Sequence, residues 1–267
     1  MGVITGLNMT VNGENTLRMW QIEELSELTP YVASNTDSGT GRKCGIDDWK
    51  GIYLGYGHTP AVFPGDFFTF AASMDGALGW YSEENGAYCE QIDIVLDVEK
   101  NQYIQYAVHF SRNGTLTKGA AVYSDTTVPS PPCPESLTVI RGEVDENDVR
   151  FAHLIMRCPG RPYVSSSTSG GRKRNRGAFD AALEYHRYFS DPTTLPAVET
   201  DYRMQLEVTD ATNWDLEWMK MVRLEAIVNT ETQENVGVKL FFEFNGQNGT
   251  ATGSVKNPAL TEKWPFS

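Results

Sequence analysis

The chain has 267 residues, 40% hydrophobic and 11% aromatic, with a net charge of −13. That apolar content fills one large core or two ordinary ones. An acidic surface repels nucleic-acid phosphates instead of gripping them, and no apolar run approaches the roughly 20 residues of a membrane-spanning helix, so neither nucleic-acid binding nor membrane insertion is expected.

Met1-Gly2-Val3-Ile4-Thr5-Gly6 opens the chain without the basic and apolar regions of a secretory signal. Met19–Leu28 has apolar spacing compatible with a short helix, as has Asp75–Ser82. Trp49–Tyr56 and Phe67–Ala71 read as strands. Gln91–Glu99 alternates polar and apolar residues, broken in phase only at Leu96, and predicts a half-buried strand. Tyr103–Phe110 follows as a second strand and ends at Asn113-Gly114, a strong turn signal. The proline-dense stretch Val122–Pro134 cannot pair as a regular strand and predicts a stiff extended connector. Ser165–Gly177 is a Ser/Gly-rich loop carrying Arg172, Lys173, Arg174 and Arg176, the one strong basic cluster in the chain. Ala182–Tyr188, Tyr202–Val208, Met221–Val228 and Val236–Phe244 are further strands, with a turn near Gly246–Gly249.

These elements repeat. Pro30-Tyr31-Val32 returns as Pro162-Tyr163-Val164, a shift of 132 positions (162 − 30) that also pairs Gly45 with Gly177, Asp48 with Asp180, Tyr53 with Tyr185, Pro60 with Pro192 and Pro64 with Pro196. Trp80 meets Trp214 at 134, and Asn113-Gly114-Thr115 meets Asn248-Gly249-Thr250 at 135. A period this long indicates a doubled domain, since solenoid periods run roughly 20–50 residues. The expected organisation is mainly β: two tandem copies of a β-barrel or β-sandwich domain, each with one short helix. Copy one spans 1–120, a Pro-rich connector 121–137, and a diverged copy two 138–267.

Catalytic constellations are missing. The four histidines, His58, His109, His153 and His186, form no nucleophile–base set, and His109 and His186 fall within predicted strands as hydrogen-bonded structural residues. No phosphate-binding, metalloprotease or serine-hydrolase motif occurs. Asp47-Asp48 sits beside Trp49, but adjacent strand residues point to opposite faces and cannot flank one glycosidic bond; the repeated Asp48 reads as a turn or cap residue. Cys44, Cys89, Cys133 and Cys158 lack metal-site spacing and read as free thiols. Asn8, Asn113 and Asn248 match glycosylation sequons, and the last two read better as Asn-Gly turns. No enzyme activity, metal or cofactor is therefore expected. The basic loop suits an acidic patch on a partner subunit, as does Arg42-Lys43 in the first copy.

The order Trp20-Gln21-Ile22, a Ser/Gly/Thr-rich loop at Ser34–Gly45, Asp48-Trp49-Lys50-Gly51-Ile52-Tyr53, Pro64-Gly65-Asp66, Ile92-Asp93-Ile94 and Asn113-Gly114-Thr115-Leu116-Thr117 resembles the tail tube proteins of long-tailed bacteriophages. Copy two departs from it with Ala181 for Trp49 and Ala197 for Gly65. The resemblance implies a structural protein of the virion tail, assembled in the host cytoplasm into stacked six-fold rings through which the double-stranded DNA genome passes without specific binding. Its partners are then itself and other tail proteins. Asp48, Trp49, Gly51, Tyr53, Pro64 and Gly65 become a packing motif, and Arg42, Lys43, Arg172, Lys173, Arg174 and Arg176 become inter-subunit contacts. Two domains per chain let three chains close a pseudo-six-fold ring. The rivals are a capsid decoration or head–tail connector protein of similar fold, and a carbohydrate-binding β-sandwich that stacks sugars on Trp49, Tyr53, Tyr56 and Trp80.

Overall fold

Alternation at Gln91–Glu99 produces the central strand of the molecule, Ala87–Asp97, which buries Ile92, Ile94 and Leu96 on one face and leaves Gln91, Asp93 and Val95 on the other. The computed structural model describes residues 10–12, 17–32, 40–56, 60, 62–74, 78–100, 104–119, 137–142, 144–146, 148–166, 168, 171–188, 195–208, 212–227 and 237–246. These form β1 (Thr10–Val11), β2 (Leu17–Tyr31), β3 (Gly41–Tyr56), β4 (Phe67–Phe68), β5 (Ala71–Met74), β6 (Leu78–Ser82), β7 (Ala87–Asp97), β8 (Gln105–Arg112) and β9 (Leu116–Gly119). They continue with β10 (Leu137–Arg141), β11 (Val144–Glu146), β12 (Val149–Arg157), β13 (Arg161–Tyr163), β14 (Lys173–Asn175), β15 (Asp180–Tyr188), β16 (Asp201–Val208), β17 (Thr212–Ile227) and β18 (Gly237–Phe244). The protein is mainly β, built on large antiparallel sheets.

The helix expectation fails. Met19–Leu28 lies inside β2, paired with β3, and Leu78–Ser82 of the second candidate is β6. The spacing of Met19, Ile22 and Leu25 suits a helix; pairing with the strand that buries Trp49 and Tyr53 decides for a strand instead. The proline-rich connector lies outside the described residues through Ser136, and β10 begins at Leu137.

One sheet runs through both halves of the chain in the order β2-β3-β8-β7-β12-β15-β18-β17-β16-β10-β11, with β4 also on β7; a smaller sheet, β1-β5-β6-β9, covers the first half. Pairing repeats at the shift read from the sequence. Tyr53 faces Val108 and Tyr185 faces Leu240, each member displaced by 132 (185 − 53 and 240 − 108). Ile22 faces Gly51 as Leu154 faces Leu183. The β7–β8 bulge between Cys89 and Gln91 recurs between Met221 and Arg223, and the β2–β3 bulge between Leu17 and Met19 recurs between Val149 and Phe151. Thus β2-β3-β8-β7 and β12-β15-β18-β17 share order, register and bulges. Gly45 and Gly177 serve one purpose in both: a Cβ on Gly45 would lie 2.4 Å from the Glu27 carbonyl oxygen, and one on Gly177 2.0 Å from that of Pro159.

Two sequence pairings are corrected. Gly65 corresponds to Glu199, not Ala197: Gly65 N–H donates to Cys89 O and Glu199 N–H to Met221 O, both at 2.8 Å, and both residues have positive φ (98° and 68°). Asn113 corresponds to Asn245, not Asn248, because their N–H groups donate to the matching Gly86 and Trp218 carbonyls at 2.7 Å. Trp80 and Trp214 do correspond, opposite Ala72 and Leu206 at a common shift of 134.

Candidate functional site

The joint between the halves has two parts, a strand ladder and an arm. In the ladder, β7 pairs with β12 from Gln91↔Arg157 to Phe151↔Asp97, with Ile94 facing Leu154 at its middle. Val98 N–H to Arg150 O (2.9 Å) and Cys158 N–H to Glu90 O (2.8 Å) extend it at both ends. The spacing of the halves is thus set by backbone hydrogen bonds and a shared core.

The arm is the hairpin β13–β14, which continues β12 and β15 beyond the main sheet. The segment that reads as a flexible basic loop contains a strand, Lys173–Asn175, and its cations fold back onto the first half. Arg174 is the anchor. Its Nη2 lies 3.1 Å from Asp48 Oδ2, its Nε donates to Ser111 Oγ at 3.1 Å, and its backbone N–H donates to Asn113 Oδ1 at 3.0 Å. Ser111 Oγ donates in turn to Glu90 Oε1 at 2.7 Å. Arg172 bridges Asp48 (3.3 Å) and Glu27, and its N–H donates to Asp47 O. Arg176 Nε donates to Gly65 O at 2.9 Å, with Nη2 3.8 Å from Asp66. Hydrogen bonding to Asp48 raises the Arg172 pKa, and burial raises that of the Asp66 carboxyl against the opposing Phe63 N–H and Arg176.

Asp48 is therefore no turn residue: it lies in β3, buried, as the acceptor at the centre of the arm contact. Its ion-pair partners stand 124 and 126 positions away, which no local pattern reveals. The rest of the packing motif divides as follows. Trp49 and Tyr53 are buried, and Trp49 Nε1 donates to Gly114 O. Gly51 admits the Phe110 ring, whose Cζ lies 2.3 Å from where a Cβ would stand. Pro64 and Gly65 form the buried turn that receives Arg176. Burial removes Trp49 and Tyr53 from any sugar-stacking surface, and Trp80 packs edge-on against Trp20. Of the basic residues, Arg172, Arg174 and Arg176 make their contacts within the chain. Lys173 faces Tyr163 across the hairpin, Arg42 is exposed on β3, and the Lys43 side chain lies outside the described residues.

The open face of the joint carries an Asp–His cluster that the sequence did not suggest. Asp93 on β7 lies 3.2 Å from His109 Nε2 on β8 and 3.9 Å from His153 Nε2 on β12, and accepts from Gln91 Nε2 at 2.8 Å. Burial pushes the Asp93 pKa up, but the His109 and Gln91 hydrogen bonds outweigh it and leave the pKa lowered. A carboxyl depressed on folding adds stability that is present above its unfolded value of about 3.9 and is lost as pH falls through the folded value. Asp93→Asn is therefore expected to lose less stability than the wild type between about pH 5 and pH 3. Urea midpoints across that range check this, and parallel curves would refute it. Neighbouring positions are mixed, with Glu23, Glu184 and Glu225 against Lys50, Arg157 and Lys239, so this face lacks the strong acidity that the net charge suggests.

Among the described residues no group of three or more His, Cys, Asp or Glu side chains is placed to hold a metal ion, and no helix is long and apolar enough to cross a membrane. Cys89 and Cys158 are buried free thiols, and burial raises the Cys89 pKa, which opposes nucleophilic use. No protein-family model and no curated protein matches the chain.

Proposed function

We propose that the chain is a structural subunit, two copies of one β-domain joined head to tail, that polymerises by the same joint into closed rings of the kind that stack into a phage tail tube. One observation carries this reading. The β7–β12 ladder joins the last strand of one four-stranded unit to the first strand of the next, and among the described residues the corresponding outer strands have no second neighbour: β2 pairs only with β3, and β17 beyond Met221 only with β18. Shifting the internal ladder by 132 sets Ala226 (94 + 132) opposite Ile22 (154 − 132) of a second copy. Met19, Leu25 and Leu28 on β2 and Trp218 and Val222 on β17 are exposed, so apolar side chains lie along both outer strands. Such edges invite strand addition, and a ring removes them.

A head-to-tail contact is heterologous and closes when its rotation divides a full turn. Each chain offers eight strands, β2-β3-β8-β7-β12-β15-β18-β17, so three chains give 3 × 8 = 24. Strands about 4.8 Å apart and tilted about 40° then enclose a ring roughly 45–50 Å across between backbones, wide enough for an open channel. The charged groups of the arm hold the two halves together.

Negative-stain imaging with native mass measurement tests the proposal. Closed rings or tubes of three chains per ring are expected. Six chains per ring would overturn the trimer, and single chains at every concentration would overturn ring formation itself. Binding to capsid lattices without self-assembly would favour a decoration role.

A further inference from the structure

The ring places a second arm, the β2–β3 hairpin ending near Pro30 and Arg42, over the second half of a neighbouring chain, where the β13–β14 arm lies over the first half internally. Charges on the two arms and on their two beds have changed together. Arg176 becomes Cys44 (176 − 132), and its acceptor Asp66 becomes Thr200, by the shift of 134 that relates Gly65 to Glu199. Arg172 becomes Thr40, and its second acceptor, Glu27, becomes Pro159. Only Arg174 keeps its cation, as Arg42, and its acceptor Asp48 keeps its carboxylate, as Asp180. The second carboxylate near Arg174, Glu90, becomes Val222, while Ser111, which relays to Glu90, becomes Glu243. The acid has moved one strand over and still borders the guanidinium position. Arg42, Asp180 and Glu243 are all exposed, without ion-pair partners among the described residues.

We propose that Arg42 of one chain docks between Asp180 and Glu243 of the next, a charged latch under the arm at the chain-to-chain joint. This rests on the ring reading and adds to it a named contact. Of the three arginines that anchor the internal arm, the second arm keeps one, with Lys43 beside it, so its hold on the neighbouring chain centres on Arg42.

Charge reversal tests the contact in the full-length protein. Arg42→Glu and Asp180→Arg are each expected to raise the concentration for half-assembly about tenfold or more, and the double variant to recover most of that loss, because like charges at an interface repel and the swap restores attraction. Both positions are exposed, so thermal unfolding of the unassembled chains should match the wild type. Rings forming from Arg42→Glu at wild-type concentrations would overturn the latch and leave the ring reading standing. Two impaired single variants without recovery in the double variant would overturn this pairing. A wild type that never assembles would remove the ring reading and the latch together.

Discussion

Asp48→Ala is expected to lower the unfolding free energy by about 3–5 kcal/mol, the cost of removing one partner from a buried ion pair. The Asp48 and Arg174 side chains are each 9% exposed, so the guanidinium left behind has little water to turn to. Ser111 and Glu90 remain near its Nε, at 3.1 and 3.6 Å, which places the loss toward the lower end of that range. Asp48→Asn separates charge from shape, since it keeps an oxygen for the Trp49 N–H that Asp48 Oδ1 accepts at 2.9 Å. It should lose nearly as much. Urea unfolding measures the free energy, and limited trypsin digestion measures where it is lost. Once the arm is unlatched, cleavage at Arg172, Lys173 and Arg174 should precede global unfolding. A loss below about 1 kcal/mol, in the range of exposed ion pairs, would mean the arm is held by its backbone contacts instead.

Legibility of this protein in its sequence tracks the range of the interactions involved. Alternation at Gln91–Glu99 is local and yields β7 directly. The shift of 132 is a comparison of the chain with itself and needs no contacts, so the correspondence of Gly45 with Gly177 and Tyr53 with Tyr185 was visible before any strand was paired. Where the second half gains two residues, identity misleads. Pro64 aligns with Pro196 by eye, but the left-handed turn of Gly65 is filled by Glu199, a residue type that gives no sign of positive φ. Asn248-Gly249 outcompetes Asn245-Gly246 as a match for Asn113-Gly114 because it brings a threonine with it, whereas the hydrogen bond to the preceding turn selects Asn245. Least legible was the joint. Basic residues at Arg172–Arg176 called for an acidic partner, and that partner was in the same chain, assembled from β2, β3, β7 and the turn at Gly65-Asp66.

At the far end of the sheet, Glu146→Gln is expected to cost about 3–5 kcal/mol on the same principle. Glu146 on β11 has a fully buried side chain. Its Oε1 lies 2.7 Å from Arg141 Nε, and its Oε2 lies 3.7 Å from Arg187 Nε and accepts from the Tyr185 hydroxyl. Burial, and then the Glu146 charge, push the Tyr185 pKa well above its ordinary value, so the phenol stays protonated and donates. Glutamine keeps the shape and loses the charge that faces two guanidinium groups, each 11% exposed. The first half is built differently at the Arg187 position. Arg187 corresponds to Gly55, and the Tyr106 ring fills that position, its Cζ 2.2 Å from where a Gly55 Cβ would lie; Tyr106 in turn corresponds to Val238. A large ring over a glycine in one half is thus exchanged for an arginine beside a valine in the other, and Glu146 faces that arginine. Tyr185→Phe removes only one hydrogen bond of the cluster and should cost about 1–2 kcal/mol. Because Glu146 and Asp48 share no partner, their losses should add within about 0.5 kcal/mol in the double variant. Chemical denaturation of the four variants decides the point, and a Glu146→Gln loss no larger than that of Tyr185→Phe would show that the carboxylate is not what holds the two arginines.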